Sequence, residues 1–188
     1  MRVLESERLV LKPVEESDLY SLLQIQWDKS VMNYMNFKPL SLANQREWFN
    51  SVGKNNLALS IFYKTETSID LIGLATLNGI DSLHRRASWG MKLKPDLQGR
   101  GIGFEASVIL LHYAFYHLNL VKVHGDILFE NIANRKMCSK LGVTEEGILK
   151  NHYYVNGAYR DVVLVAIFKD EFYEKNSQII TSLGLFIS

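Results

Sequence analysis

Met91–Gly103, MKLKPDLQGRGIG, is the stretch from which the chain can be read. A short alternating run ends at Pro95, glycines follow at 99, 101 and 103, and an apolar helical pattern begins directly after them. Glycines at alternate positions let a backbone come close to a guest and turn its N–H groups toward it. A helix that starts there adds a partial positive end, equivalent to about half an elementary charge. The guest that suits such a turn is a phosphate.

Two familiar phosphate loops fail. A P-loop needs Lys and then Ser or Thr after its last glycine, and Phe104 and Glu105 stand there instead. Gly101, Gly103 and Ala106 spell the dinucleotide fingerprint G-x-G-x-x-A, with Asp126 placed where a ribose-binding acid could stand. Pro95 separates that loop from its strand, Asp126 falls inside a strand rather than at its end, and too little chain remains for the rest of such a sheet.

Working outward, RLVLKP alternates and stops at Pro13, which predicts a first strand. ESDLYSLLQIQW predicts a helix capped by Ser17, with Leu19, Leu22, Leu23 and Trp27 on one face. SLANQREWFNSVG predicts a second, from Ser41 to Gly53. LALSIFYK, LIGLATLNGI and ASWGMKLK read as three strands. Residues 104–118 read as a helix burying Val108, Leu111 and Phe115. LVKVHGDILF reads as a strand with Val121, Val123, Ile127 and Phe129 on one face. NIANRKMCSKLG reads as a short helix ending at Gly142. NHYYVNGAYRDVVLVAIF reads as a hairpin turning at Asn156-Gly157. This order implies a mixed α/β sheet with mostly antiparallel neighbours.

The bulk properties narrow the function. The 188 residues suit one domain, 47% are hydrophobic, and the formal net charge is +1. No basic face for nucleic acid is expected. The single cysteine, Cys138, allows no internal disulfide and suits a cytoplasmic protein. MRVLESERLV is too charged for a signal peptide. IITSLGLFIS, near the C-terminus, is about half the length of a membrane span. We therefore expect a domain over residues 1–175 and an apolar tail over 176–188, packed on the domain or on a second copy as a homodimer, with no membrane partner. His112 and His117 are five apart on a helix, which is not a metal pair, and no metal is expected. His84, Arg85 and Arg86 read as a solvated charge cluster.

With those residues in view, the chain resembles the GNAT superfamily of N-acetyltransferases. Their pyrophosphate loop follows Q/R-x-x-G-x-G/A, and Gln98-Gly99-Arg100-Gly101-Ile102-Gly103 matches it in full. SERLVLKPVEESDL resembles the family's opening strand and helix. The closing half, with Asn131, Asn134, Leu141-Gly142, Glu146-Gly147, Asn156-Gly157 and Asp161 in register, is similar to the RimJ/RimL subgroup and to spermidine acetyltransferases. The resemblance implies a mostly antiparallel central sheet flanked by helices, with two parallel central strands that splay apart. Acetyl-CoA would lie in that splay as co-substrate, its diphosphate held by residues 98–103, with Asn131 and Asn134 also in contact. A backbone N–H of Met91, Lys92 or Leu93 would receive the thioester oxygen. A primary amine (a protein N-terminus, a polyamine, an amino sugar or another small amine) would attack directly, without an acyl-enzyme. Trp27, Tyr34, Trp48 and Phe49 fall in the region that forms the acceptor wall, although core packing accounts for them equally well.

The sequence departs from the family at the proton-transfer positions. Ser88 stands where many members carry a glutamate, which leaves Glu130 and Asp161 as candidate bases. Cys138 stands where many carry a tyrosine, and Asn134 where RimL-like members carry a serine. Catalytic candidates are therefore Asn134, Cys138 and Glu130, each with a plain structural reading beside it. The departures also allow a second class of function, an acyl-CoA-binding module without catalysis.

Overall fold

The computed structural model describes residues 4–33 and 40–185. Eight strands form one sheet: β1 (Leu4–Glu5), β2 (Leu9–Pro13), β3 (Leu57–Lys64), β4 (Ile69–Asp81), β5 (Arg86–Leu93), β6 (Lys122–Leu128), β7 (Thr144–Val155) and β8 (Ala158–Phe168). Their spatial order is β1-β2-β3-β4-β5-β6-β8-β7. Every neighbouring pair is antiparallel except β5 and β6, which are parallel. The helices are α1 (Leu19–Trp27), α2 (Lys29–Met32), α3 (Leu42–Ser51), α4 (Ile102–His112), α5 (Ile132–Leu141) and α6 (Lys169–Ser182).

Helix α4 is the parallel crossover between β5 and β6 and lies at the centre of the core. Ile102, Ala106, Val108, Ile109, Leu110 and Leu111 are all 1% exposed or less. A helix apolar all round must be covered all round. The sheet covers one side, and Leu141 of α5 with Phe172 and Ile180 of α6 cover the other. The opposite face of the sheet carries α1 and α3, where Leu22 and Trp48 pack on Ala58 and Leu74.

Most expected elements form where their patterns place them. Ser41 caps α3 in a reciprocal capping box with Asn44. Asn156 and Gly157 make the β7–β8 turn with φ of 51° and 82°, the conformation that a two-residue hairpin of this hand requires. Four details differ. Ser17 is not a cap: a 3-10 turn at Glu16–Asp18 precedes α1, with Glu15 as its N-cap in a box with Asp18. Asp18 wins because its carboxylate reaches back to the Glu15 N–H and also accepts from the Ser60 hydroxyl at 2.7 Å. Trp27 is exposed rather than on the buried face, and its indole N–H donates to the Leu40 carbonyl. The central helix begins at Ile102, not 104, and widens into a π-helical segment at Tyr113–His117. On β6, Val123 and Ile127 are buried, whereas Val121 and Phe129 lie just beyond the strand's ends and are exposed.

Helix α6 continues to Ser182, so the apolar segment from Ile179 onward begins as helix. Ile180 is 1% exposed in the main core, and Ile179, Leu183 and Leu185 pack against that core. Ile180→Ala should therefore cost about 2–5 kcal/mol, as a large-to-small change at a buried site does. Urea unfolding of the variant checks this. No change in midpoint would mean that the segment does not belong to the core.

Candidate active site

The parallel pair holds for three rungs only: Arg86–Lys122, Ala87–Val123 and Ser88–His124. Beyond Ser88, β5 stays paired to β4 through Leu93, and β6 stays paired to β8 through Leu128. A wedge opens between them. The N–H of Lys94 donates to the Ile72 carbonyl at 2.8 Å, which fixes the alternation along β5. Even-numbered residues turn their peptide groups to β4, and Trp89, Met91 and Leu93 turn theirs into the wedge. Of the three residues expected to meet the thioester, Met91 and Leu93 thus turn peptide groups without a partner among the described residues into the wedge, and Lys92 turns its own to β4.

The side chains of β5 sort onto two faces. Ala87, Trp89, Met91 and Leu93 pack under α4. Ser88, Gly90 and Lys92 face the α1 side, where Lys92 Nζ donates to Gln26 Oε1 at 2.8 Å. Gln26 is buried, and its Nε2 has no partner among the described residues. On β6, Val123 and Ile127 join the α4–α5 side. His124 and Asp126 therefore share the other face with Ser88, and Asp126 accepts from the Tyr153 hydroxyl at 2.7 Å.

At the wide end of the wedge lie the glycines. Gly99 and Gly101 have φ of 77° and 78°, left-handed values that only glycine adopts without strain. Gly101 is the N-cap of α4 and offers no side chain to its first N–H groups. Those donors have no partner within the helix. Nothing lies within 4 Å of a Cβ placed on Gly99, so the loop faces open space. At Gly103 a Cβ would stand 3.2 Å from Leu93 and 3.4 Å from the Met137 sulfur, so this glycine lets α4 sit close to β5 and α5. Gln98 donates its N–H back to Pro95, and Ile102 is buried as the first helical residue. Glu105, one turn into α4, is buried and accepts from the Ser6 hydroxyl at 2.5 Å and from Arg8 Nε at 2.9 Å. Arg8 Nη2 also pairs with Glu105, and it lies 4.0 Å from a Cβ placed on Gly101. Open space beside Gly99, an uncapped helix start and a nearby guanidinium make a site that fits a diphosphate.

The remaining candidates fall into two groups. Asn131 caps α5, its Oδ1 accepting from the Asn134 N–H at 3.2 Å, which places both residues beside the β6 end of the wedge. Cys138 donates to Asn134 Oδ1 at 3.6 Å and is buried with Ile127, Val163 and Val165. Burial pushes its thiol up to about 12, which makes it a weak proton donor. Glu130 and Asp161 are engaged elsewhere. Glu130 lies past the end of β6 and pairs with Arg160 at 3.3 Å. Asp161 accepts from Lys150 Nζ at 2.7 Å and from the Asn151 N–H at 2.9 Å, contacts that hold its carboxyl below the usual range.

Trp48 lines a shallow pocket with Asn56 and Asn78 on the α1–α3 side, and Phe49 is half-buried on the same helix. Tyr34 lies outside the described residues. Arg85 and Arg86 bind Asn119 and Asp81 at the opposite end of β5 from the glycine loop. His112 is buried and stacked on Tyr116. Asp126, the would-be ribose acid, lies within β6. No helix among the described residues is long and apolar enough to cross a membrane, and no group of three potential metal ligands is found among them. Sequence reasoning missed His124, Asp126 and Gln26 as members of this site. The alternation of LVKVHGDILF carried the signal for the first two, as the polar positions between its buried ones.

Residues 8–144 match the family model for the acetyltransferase (GNAT) domain, and the chain belongs to that family. It is 28% identical over 174 residues to the spermidine N(1)-acetyltransferase of Escherichia coli K12, covering 86% of this chain and 87% of that one. Over 101 residues it is 32% identical to the putative ribosomal N-acetyltransferase YdaF of Bacillus subtilis, about half of each chain. The crystal structure of the Vibrio cholerae spermidine N-acetyltransferase in complex with CoA and spermine superposes with a TM-score of 0.81 at 26% identity, covering 87% of this chain and 97% of that one. The protein is an acetyltransferase.

Two outcomes follow from this geometry. Gly101→Ala, which forces a Cβ into the left-handed region, should lose roughly 1–2 kcal/mol of stability. It should also weaken acetyl-CoA binding, and thermal unfolding with and without the ligand reads both effects. Burial pushes the Lys92 ammonium down from 10.5 to about 8. The folded protein therefore releases this proton before the unfolded chain does, and stability should rise as pH climbs from 8 to 10.5. Lys92→Met should abolish that rise, as urea unfolding across that range will show.

Proposed function

We propose that the protein transfers the acetyl group of acetyl-CoA to a primary amine by direct attack in a ternary complex. The observation that carries this reading is the wedge that opens after Ser88, with free peptide edges at Met91 and Leu93 and the glycine loop at its mouth. The diphosphate would rest on the amides of residues 99–103, beside Arg8, the Gln98 N–H being taken by Pro95. The pantetheine arm would add to the free edge of β5, with Asn131 and Asn134 on the opposite wall. A peptide N–H at Met91 or Leu93 suits the oxygen that gains charge as the amine adds. Holding amine and thioester in line can supply about 7–11 kcal/mol at best.

The acceptor would approach from the α1 side, through the face that carries Ser88, Lys92, Gln26 and His124. Residues 28–41, which connect α1 to α3, contain a single acid, Asp28, beside Lys29 and Lys38. A polycation would want clustered carboxylates there, so a singly charged amine, such as a peptide N-terminus, is the better match. The spermidine-acetylating relatives support the alternative of a polyamine acceptor.

Thiol release from acetyl-CoA, measured over a panel of N-terminal peptides, amino sugars and polyamines, should show turnover with peptides above spermidine. Preference for spermidine would transfer the acceptor to the polyamine class. Acetyl-CoA at about 100 times its dissociation constant should raise the melting temperature by roughly 5–10 °C. That rise without thiol release from any amine would favour the binding module.

A further inference from the structure

We propose that His124 is the general base of the transfer, taking the proton from the acceptor's ammonium, and that it fills the role left open by Ser88. This rests on the acetyl-transfer reading above. Ser88 and His124 form the last parallel rung before β5 and β6 part, so they stand side by side at the apex of the wedge. Both lie on the acceptor side of the sheet, opposite α4 and α5. Asp126 is the next residue on that face of β6, held in place by the Tyr153 hydroxyl. The carboxylates proposed from the sequence are tied into ion pairs away from this point, Glu130 by Arg160 and Asp161 by Lys150.

The surroundings of His124 suit a neutral imidazole. Burial and the cations Lys122 and Arg86 push its pKa below the usual histidine value, against the smaller opposing pull of Glu146 and Asp126. An imidazole neutral at pH 7 accepts a proton without first losing one. The match is best for an α-amine, about 10% neutral at that pH, and poorest for a lysine-like amine, about 0.04% neutral.

The protons balance in two transfers. The ammonium gives one to the imidazole nitrogen, which returns it to solvent. The freed amine forms a bond to the carbonyl carbon, the C–S bond breaks, and the second proton on nitrogen ends on the departing thiolate as CoA thiol. No acyl-enzyme and no further reactant are needed.

The experiment compares the unaltered protein with His124→Gln across pH, using an N-terminal peptide and an aromatic amine that is already neutral at pH 7. His124→Gln should lower kcat/KM for the peptide by roughly 10²–10⁴-fold. It should remove the acidic limb of the pH profile and leave the aromatic amine within a few-fold. The melting-temperature rise with acetyl-CoA should be unchanged, which separates loss of the base from loss of fold or of binding. Ser88→Glu in the His124→Gln background, placing a carboxylate on the neighbouring rung, should restore part of the peptide rate. An unchanged acidic limb in His124→Gln, or an equal loss for both amines, would overturn the assignment while leaving acetyl transfer standing. Absence of turnover by the unaltered protein would overturn the transfer reading itself, and this assignment with it.

Discussion

The site depends on how soon two parallel strands stop bonding to each other. After the Ser88–His124 rung, the peptide groups of Met91 and Leu93 have no strand to bond among the described residues. Peptide groups left unpaired at the centre of a sheet are costly unless something else satisfies them. Each strand is held by its outer neighbour, β5 by β4 and β6 by β8, so the parting does not unravel the sheet. The resulting edge can accept an extended ligand arm as if it were another strand.

Around that wedge the molecule keeps two sides distinct. Helices α4 and α5 converge on one side, with Gly103 allowing the close approach of Leu93 and Met137. The glycine loop and the start of α4 carry a positive bias there. Glu105 would oppose an anion if it stood alone, but Ser6 and Arg8 engage its carboxylate below the loop. That pairing ties the N-terminal strand to the central helix across almost a hundred residues of sequence, and removing Arg8 would strand a buried carboxylate. On the other side, Ser88, Lys92, His124 and Asp126 make a mixed, polar face. The glycine-loop side and this polar face meet only where the strands part.

Much of this was legible in residue order. Hydrophobic period separated strands from helices, Asn156-Gly157 marked its hairpin, and Gln98–Gly103 marked the anion loop, because each signal is local and has a stereochemical cause. The misplaced features depended on distant partners. Ser17 lost its capping role because Asp18 is also bonded to Ser60, forty-two residues away. The burial of Trp27 was overestimated because helical spacing cannot say how far a neighbouring surface extends. Glu130 and Asp161 looked available because their partners, Arg160 and Lys150, reach them only once β7 and β8 have paired with each other and with β6.

The sequence by itself determined the elements, the glycine loop and the absence of the expected carboxylate at Ser88, since these rest on backbone geometry and residue identity. Tertiary structure alone decided which peptide groups stay free, which face each β6 side chain joins, and which residue stands beside Ser88. Strand register sets all three. Register is fixed by long-range pairing and by the burial of one face, and a linear string does not encode which strand will lie alongside which.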